Sequence, residues 1–144
     1  MIWRSILASV VLVLATANVR AADGEFKPSE VKTKDALQAV ISKQLDAFRS
    51  DNYAAAYGFA DDAIKGQFPL ADFEEMVRMI YPAIAHSASV SYGLTLDNGD
   101  DAVVSALVVG KDQKAFSYQY ILHRTGTTWR IVGVLLSHDR SLEV

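Results

Sequence analysis

"VSYGLTLDNGDDAVVSALVV", residues 90–109, alternates apolar with small or polar side chains on either side of Asn98-Gly99. Successive side chains of an extended chain point to opposite faces, so a period of two marks a half-buried strand. Val90, Tyr92, Leu94 and Leu96 share one face, against Ser89, Ser91, Gly93 and Thr95 on the other. Asn-Gly adopts the positive φ angles that a tight hairpin demands, so Asp97-Asn98-Gly99-Asp100 turns the chain antiparallel. A second strand runs over about 102–109 and stops at Gly110-Lys111-Asp112.

Toward the C-terminus the same period continues. A third strand, about 115–124, sets Phe116, Tyr118, Tyr120 and Leu122 on one face and Ser117, Gln119, Ile121 and His123 on the other. Thr125-Gly126-Thr127 turns into a last strand in which Trp129, Ile131, Gly133 and Leu135 share a face. Ile121, Val132, Val134 and Leu136 then form an apolar row opposite Trp129, the kind of patch through which a homodimer or another protein docks.

Toward the N-terminus the period becomes helical. Leu37, Ile41, Leu45 and Phe48 recur three or four residues apart, with Lys34, Lys43, Asp46 and Arg49 elsewhere on the turn, which predicts an amphipathic helix over 34–49. Ser50-Asp51-Asn52 carries N-cap chemistry, with Asp51 expected to cap a second helix over 52–60. Gly58 inside that helix costs up to about 1 kcal/mol relative to Ala, which suggests that another element passes close. A short turn over 63–67 precedes a third helix, about 71–81, opened by Pro69 and ended by Pro82, with Phe73, Val77 and Ile80 on one face. Helices followed by strands imply an α+β domain: three N-terminal helices packed on a curved four-stranded antiparallel sheet, covering 34–137.

The segments outside that domain are of other kinds. Arg4 precedes the apolar run Ile6 to Ala15, which is too short for the roughly twenty residues of a membrane span. Small residues follow at signal-peptidase spacing, with Val19 and Ala21 the better pair. Residues 1–21 therefore read as a secretory signal cleaved after Ala21, residues 22–33 as a flexible polar leader and 138–144 as a tail. A periplasmic or secreted location follows, with no membrane association after cleavage. With no cysteine in the chain, neither a disulfide nor a thiolate metal site is possible. Cleavage removes Arg4 and Arg20 and no acid, leaving twelve basic against seventeen acidic residues, a net of −5. That balance argues against nucleic acid and anionic membrane as partners.

"AFRSDNYAAAYGFADDAIKGQF" (47–68), "FEEMVRMIYPAI" (73–84) and "TTWRIVGVLL" (127–136) resemble a bacterial family known only as a domain of unknown function. The resemblance runs over about 36–136, and the family's Ser-Pro is replaced here by Asp61-Asp62. Through that family the chain is similar to the nuclear-transport-factor-2-like superfamily. The resemblance implies a cone of helices wrapped by a sheet, a fold that serves ketosteroid isomerase and many non-catalytic binding domains.

A ketosteroid-isomerase mechanism needs a carboxylate base inside the cone, yet Asp46, Asp61, Asp62, Asp72, Glu74 and Glu75 fall at turns or on helix surfaces. His86, His123 and His138 are scattered, with no carboxylate at ligand spacing, so no metal and no cofactor is expected. Neither a nucleophile motif nor a glycine-rich phosphate cradle is present. Six tyrosines in so small a domain point instead to an amphipathic hollow, since each buried hydroxyl needs a partner. Tyr53, Tyr57, Met76, Tyr92, Tyr118 and Trp129 are the expected walls of a site for a small apolar ligand. A non-catalytic binding domain is the first reading; a pocket isomerase or hydratase, or a protein-interaction module, is the alternative. N-terminal sequencing of the exported protein is expected to begin at Ala22; a chain that retains Met1 would mean an uncleaved anchor.

Overall fold

A computed structural model describes residues 24–137, so the signal-peptide and tail assignments lie outside the described residues. The elements follow in the order β1 (Lys27–Pro28), α1 (Val31–Arg49), α2 (Tyr53–Gly58), α3 (Asp62–Gln67), α4 (Leu70–Ile80), α5 (Pro82–Ala85), β2 (Ser87–Asp97), β3 (Asp101–Gly110), β4 (Ala115–Thr125) and β5 (Thr128–Leu136). The strands form one antiparallel sheet in chain order, β1 to β5. The helices-then-meander architecture is as the periodicity predicts, but among the described residues there are five helices and five strands rather than three and four.

Each added element has a local cause. Lys27 and Pro28, in the stretch read as a flexible leader, pair with Asp97 and Leu96, and Ser29 donates its N–H to the Thr95 carbonyl at 2.9 Å. The Ser29 hydroxyl also bonds the Asp97 carboxylate, so the leader is an edge strand. The stretch read as a turn is α3, started by Asp61, whose carboxylate accepts from the Ala63 N–H at 3.1 Å. Pro82 does end α4, and it also opens α5, because a proline's missing N–H costs nothing in a first helical turn.

The cap of α2 is Asn52 rather than Asp51: its side-chain oxygen accepts from the Ala55 N–H at 3.1 Å. Asp51 instead takes a positive φ of 55°, the left-handed conformation that Asp and Asn tolerate better than bulkier residues. Nor does anything crowd Gly58, where an added Cβ would meet no atom within 4 Å. Its carbonyl accepts from Arg130 Nη1 at 2.7 Å.

The stripe Leu37, Ile41, Leu45 and Phe48 is buried in one core with Val104, Val108, Tyr120, Leu122 and Ile131. The sheet has three register shifts, one at the start of β2, one in its middle and one in β5, and the last two decide which strand residues reach that core. In β2 the register shifts between Tyr92↔Ala106 and Thr95↔Val104, so Gly93 and Leu94 together oppose Ser105. The alternation read from the sequence therefore fails there: Thr95 is buried and Leu94 is 60% exposed. In β5 the shift lies between Ile121↔Gly133 and Leu122↔Ile131, with Val132 the extra residue. Val134 and Leu136 thereby align with Tyr120 and Tyr118 on the core side of the sheet, while Leu135 pairs with Gln119. The expected outer row of Ile121, Val132, Val134 and Leu136 does not exist as one face, because an inserted residue reverses the side-chain alternation beyond it. Val132 itself is buried, and Val134 packs against the core.

Replacing the cap, Asn52→Ala, is expected to lower unfolding stability by about 1 kcal/mol in urea titrations, the usual worth of a side-chain cap. An unchanged midpoint would mean that α2 is held by packing alone.

Candidate functional site

Beyond the Arg130–Gly58 bond, the outward edge of β5 is tied to the helical layer at two further points. Ile131 donates its N–H to the Phe59 carbonyl at 2.9 Å and accepts from the Asp61 N–H at 2.8 Å, so the link between α2 and α3 adds a short parallel bridge to the sheet. Three residues on, the Tyr81 hydroxyl donates to the Val134 carbonyl at 3.1 Å. Gly133, which has no side chain, lies between these ties.

At that place the helices and the strand leave a cavity of about 70 Å³ that opens toward solvent. α4 contributes Phe73, Met76 and Val77; the α3 region contributes Ile64 and Phe68; α1 contributes Gln44 and Phe48. Tyr81, Ile84, Ala60 and the β5 residues Ile131, Gly133, Val134 and Leu135, with Ile121 beside them, complete the lining. No Asp, Glu, His, Lys or Arg is among these residues. The chemistry on offer is apolar contact plus two neutral polar groups, the Gln44 amide and the Tyr81 phenol.

A family model described as "Domain of unknown function (DUF4864)" matches residues 30–144, most of the chain. The chain belongs to that family. No curated protein and no solved structure matches it. The matched region starts at Glu30, the residue that caps α1, and contains every element that lines the cavity.

Of the six residues expected as walls, Met76 alone lines this cavity. Tyr53 is buried against Phe48, ring centroids 5.2 Å apart, with the Arg78 guanidinium 4.5 Å from its ring centroid. Its hydroxyl has no hydrogen-bond partner, and burial raises its pKa while the nearby Arg78 charge opposes the rise. The Tyr57 hydroxyl donates to the Phe68 carbonyl at 2.6 Å, with the Lys65 carbonyl at 3.2 Å, and so closes the turn through α3. Tyr92 joins the sheet to α1: its hydroxyl donates to the Gln38 carbonyl at 3.2 Å and accepts from the Ser42 hydroxyl at 2.5 Å. Trp129 is buried in the core with Arg124 5.9 Å from its ring. Tyr118, 6.1 Å from the Tyr81 ring, is buried; with Tyr92 it borders a second, more open concavity of about 480 Å³ along Ser91, Ser105, Leu107, Ser117 and Ser137.

The titratable cluster most like a catalytic dyad lies elsewhere. Asp101 is buried at the start of β3, and its Oδ1 lies 2.7 Å from His123 Nδ1 on the neighbouring strand. Neither residue lines either concavity. Among the described residues no group of three or more His, Cys, Asp or Glu could hold a metal ion, and no helix is long and apolar enough to cross a membrane.

Sequence reasoning missed Gln44, Phe48, Phe68, Phe73 and Tyr81 as cavity residues. Gln44 carried a readable signal: it falls within the apolar stripe, between Ile41 and Phe48, where a polar amide is out of place. The aromatics did not, since a helix's apolar stripe looks alike whether it faces a filled or a hollow space.

Burial pushes the Tyr118 phenol up to about 12 from its ordinary value of 10.0, with the neighbouring Tyr81 adding to the rise. A folded-state pKa above the unfolded one contributes stability that is complete below pH 10 and is lost as pH climbs through about 12. Urea midpoints should therefore fall between those values, and Tyr118→Phe should show a smaller fall. An equal fall in both proteins would place the alkaline sensitivity elsewhere.

Proposed function

We propose that this chain is an exported, non-catalytic binding domain with a nuclear-transport-factor-2-like cone, which takes a small apolar or amphipathic ligand in the cavity between α4 and β5. The observation that carries the reading is the composition of the cavity wall: aliphatic and aromatic side chains around a partly open void, with no acid, base or cation among them. Sites that bind small molecules are concave, mostly apolar and furnished with a few polar groups that fix orientation, and this wall has that character.

Acid–base chemistry of the isomerase or hydratase kind would need a carboxylate or imidazole within hydrogen-bond reach of the ligand, and the wall supplies neither. The buried carboxyl of Asp101 is committed to His123 at the far end of the β2–β3 hairpin. The helices-then-meander order and the bulged, curving sheet support the cone assignment. The short apolar run after Arg4 supports export.

Native mass spectrometry of the protein from a periplasmic extract is the direct test. A co-purifying small molecule is expected in the wild type and is expected to be lost in Val77→Phe, which fills the void from the buried face of α4. A wild-type protein that stays at its apo mass after incubation with extract lipids and metabolites would overturn the reading.

A further inference from the structure

The amide of Gln44 narrows the chemistry of the ligand; the argument rests on the binding reading above. Gln44 is 4% exposed and lines the cavity from α1. Its Nε2 donates to the Ala56 carbonyl at 3.1 Å. That bond fixes which end of the amide is which, because a carbonyl can only accept, and the reversed amide would set two oxygens against each other. Among the described residues no donor bonds the other end, Oε1, and it is not one of the oxygens sealed from solvent, so a ligand that displaces solvent from the cavity must supply a donor in its place.

Tyr81 is in a similar state. Its one proton goes to the Val134 carbonyl, which leaves the phenol oxygen as an acceptor at the cavity wall. The polar equipment of the cavity is therefore two acceptors and the spare N–H of Gln44, set in apolar walls.

We infer that the ligand is an uncharged apolar molecule bearing a hydroxyl, which enters apolar end outermost or sideways and donates its proton to Gln44 Oε1. A carboxylate is excluded by the same wall. It would face two acceptors, one amide N–H and no cation, and a buried charge so poorly paired is far costlier than an unpaired hydroxyl. A plain hydrocarbon would fill the void but leave Oε1 without a partner. The alcohol satisfies both conditions.

Three monosubstituted benzenes separate these cases: benzyl alcohol, toluene and benzoate, titrated at neutral pH into the ¹⁵N-labelled protein produced by export of the full chain. Amide shifts at Val77 and Val134 would report occupancy. The expected order is benzyl alcohol tightest, by about three- to tenfold over toluene, the usual range for one net hydrogen bond, with benzoate not binding. Gln44→Met, close in volume and lacking the oxygen, should abolish the preference for benzyl alcohol over toluene while toluene still binds. Retained toluene binding also shows that the variant is folded. Equal binding of benzyl alcohol and toluene to the wild type, or a preference for benzoate, would overturn the hydroxyl inference while leaving an occupied site. Binding of none of the three would overturn the site itself.

Discussion

The structure depends on the burial of one helix face. Leu37, Ile41, Leu45 and Phe48 of α1 are at most 1% exposed, and they share a core with Val104, Tyr120 and Leu122 of the sheet, which are wholly buried. Each such side chain contributes about 1.5–3 kcal/mol through area removed from water, and no disulfide adds to it. Secondary contacts fix how the helix sits on the sheet. Tyr92 holds the middle of α1 through Gln38 and Ser42, and Arg49 near its C-terminal end reaches the Ser87 hydroxyl at 3.1 Å.

Inserted residues in β2 and β5 shape the sheet to that helix. A bulge bends its strand and increases the local twist, so shifts in both β2 and β5 curve the sheet around α1. The shift in β5 also turns Val134 to the side of the core, next to the helical layer. The edge of β5 is then tied at Ile131 by the link between α2 and α3, and at Val134 by Tyr81. The cavity is the space left between those ties, where Gly133 puts no side chain. A site of this origin needs no loop or lid; it follows from how an edge strand is anchored.

The tyrosines show how a small domain handles hydroxyls in its interior. Tyr57, Tyr81 and Tyr92 each donate to a backbone carbonyl on another segment, so their rings fill space and their hydroxyls act as ties. Tyr53 and Tyr120 are different, with buried hydroxyls that lack a partner. Removing such a group from water raises the pKa of both phenols, since burial penalises the phenolate. The polar tips of the aromatic set thus serve the fold at three positions and go unmatched at two. The polar side chains that line the cavity are Gln44 and Tyr81.

The four long strands, the Asn98-Gly99 hairpin, α1 and α4 were legible because their signals are local: a period of two, a turn dipeptide, a stripe at helical spacing. β1 was not, because Lys27 and Pro28 become a strand only when Asp97 and Leu96 lie beside them. The short helices after Asp61 and at Pro82 rest on single caps and a proline, too little for periodicity to register. The site was the least legible part. Alternation along one strand says which residues share a face only while the register holds, and Val132 breaks it with an insertion that shows only against the partner strand. The sequence by itself determined the α+β class and the helix that anchors it, since hydrophobic spacing acts within a segment. Tertiary structure alone decided that Val134 faces inward, that five of the six expected wall residues stand away from the cavity, and that Gln44 lines it. A void is the space that separate segments fail to fill, and no single segment records it.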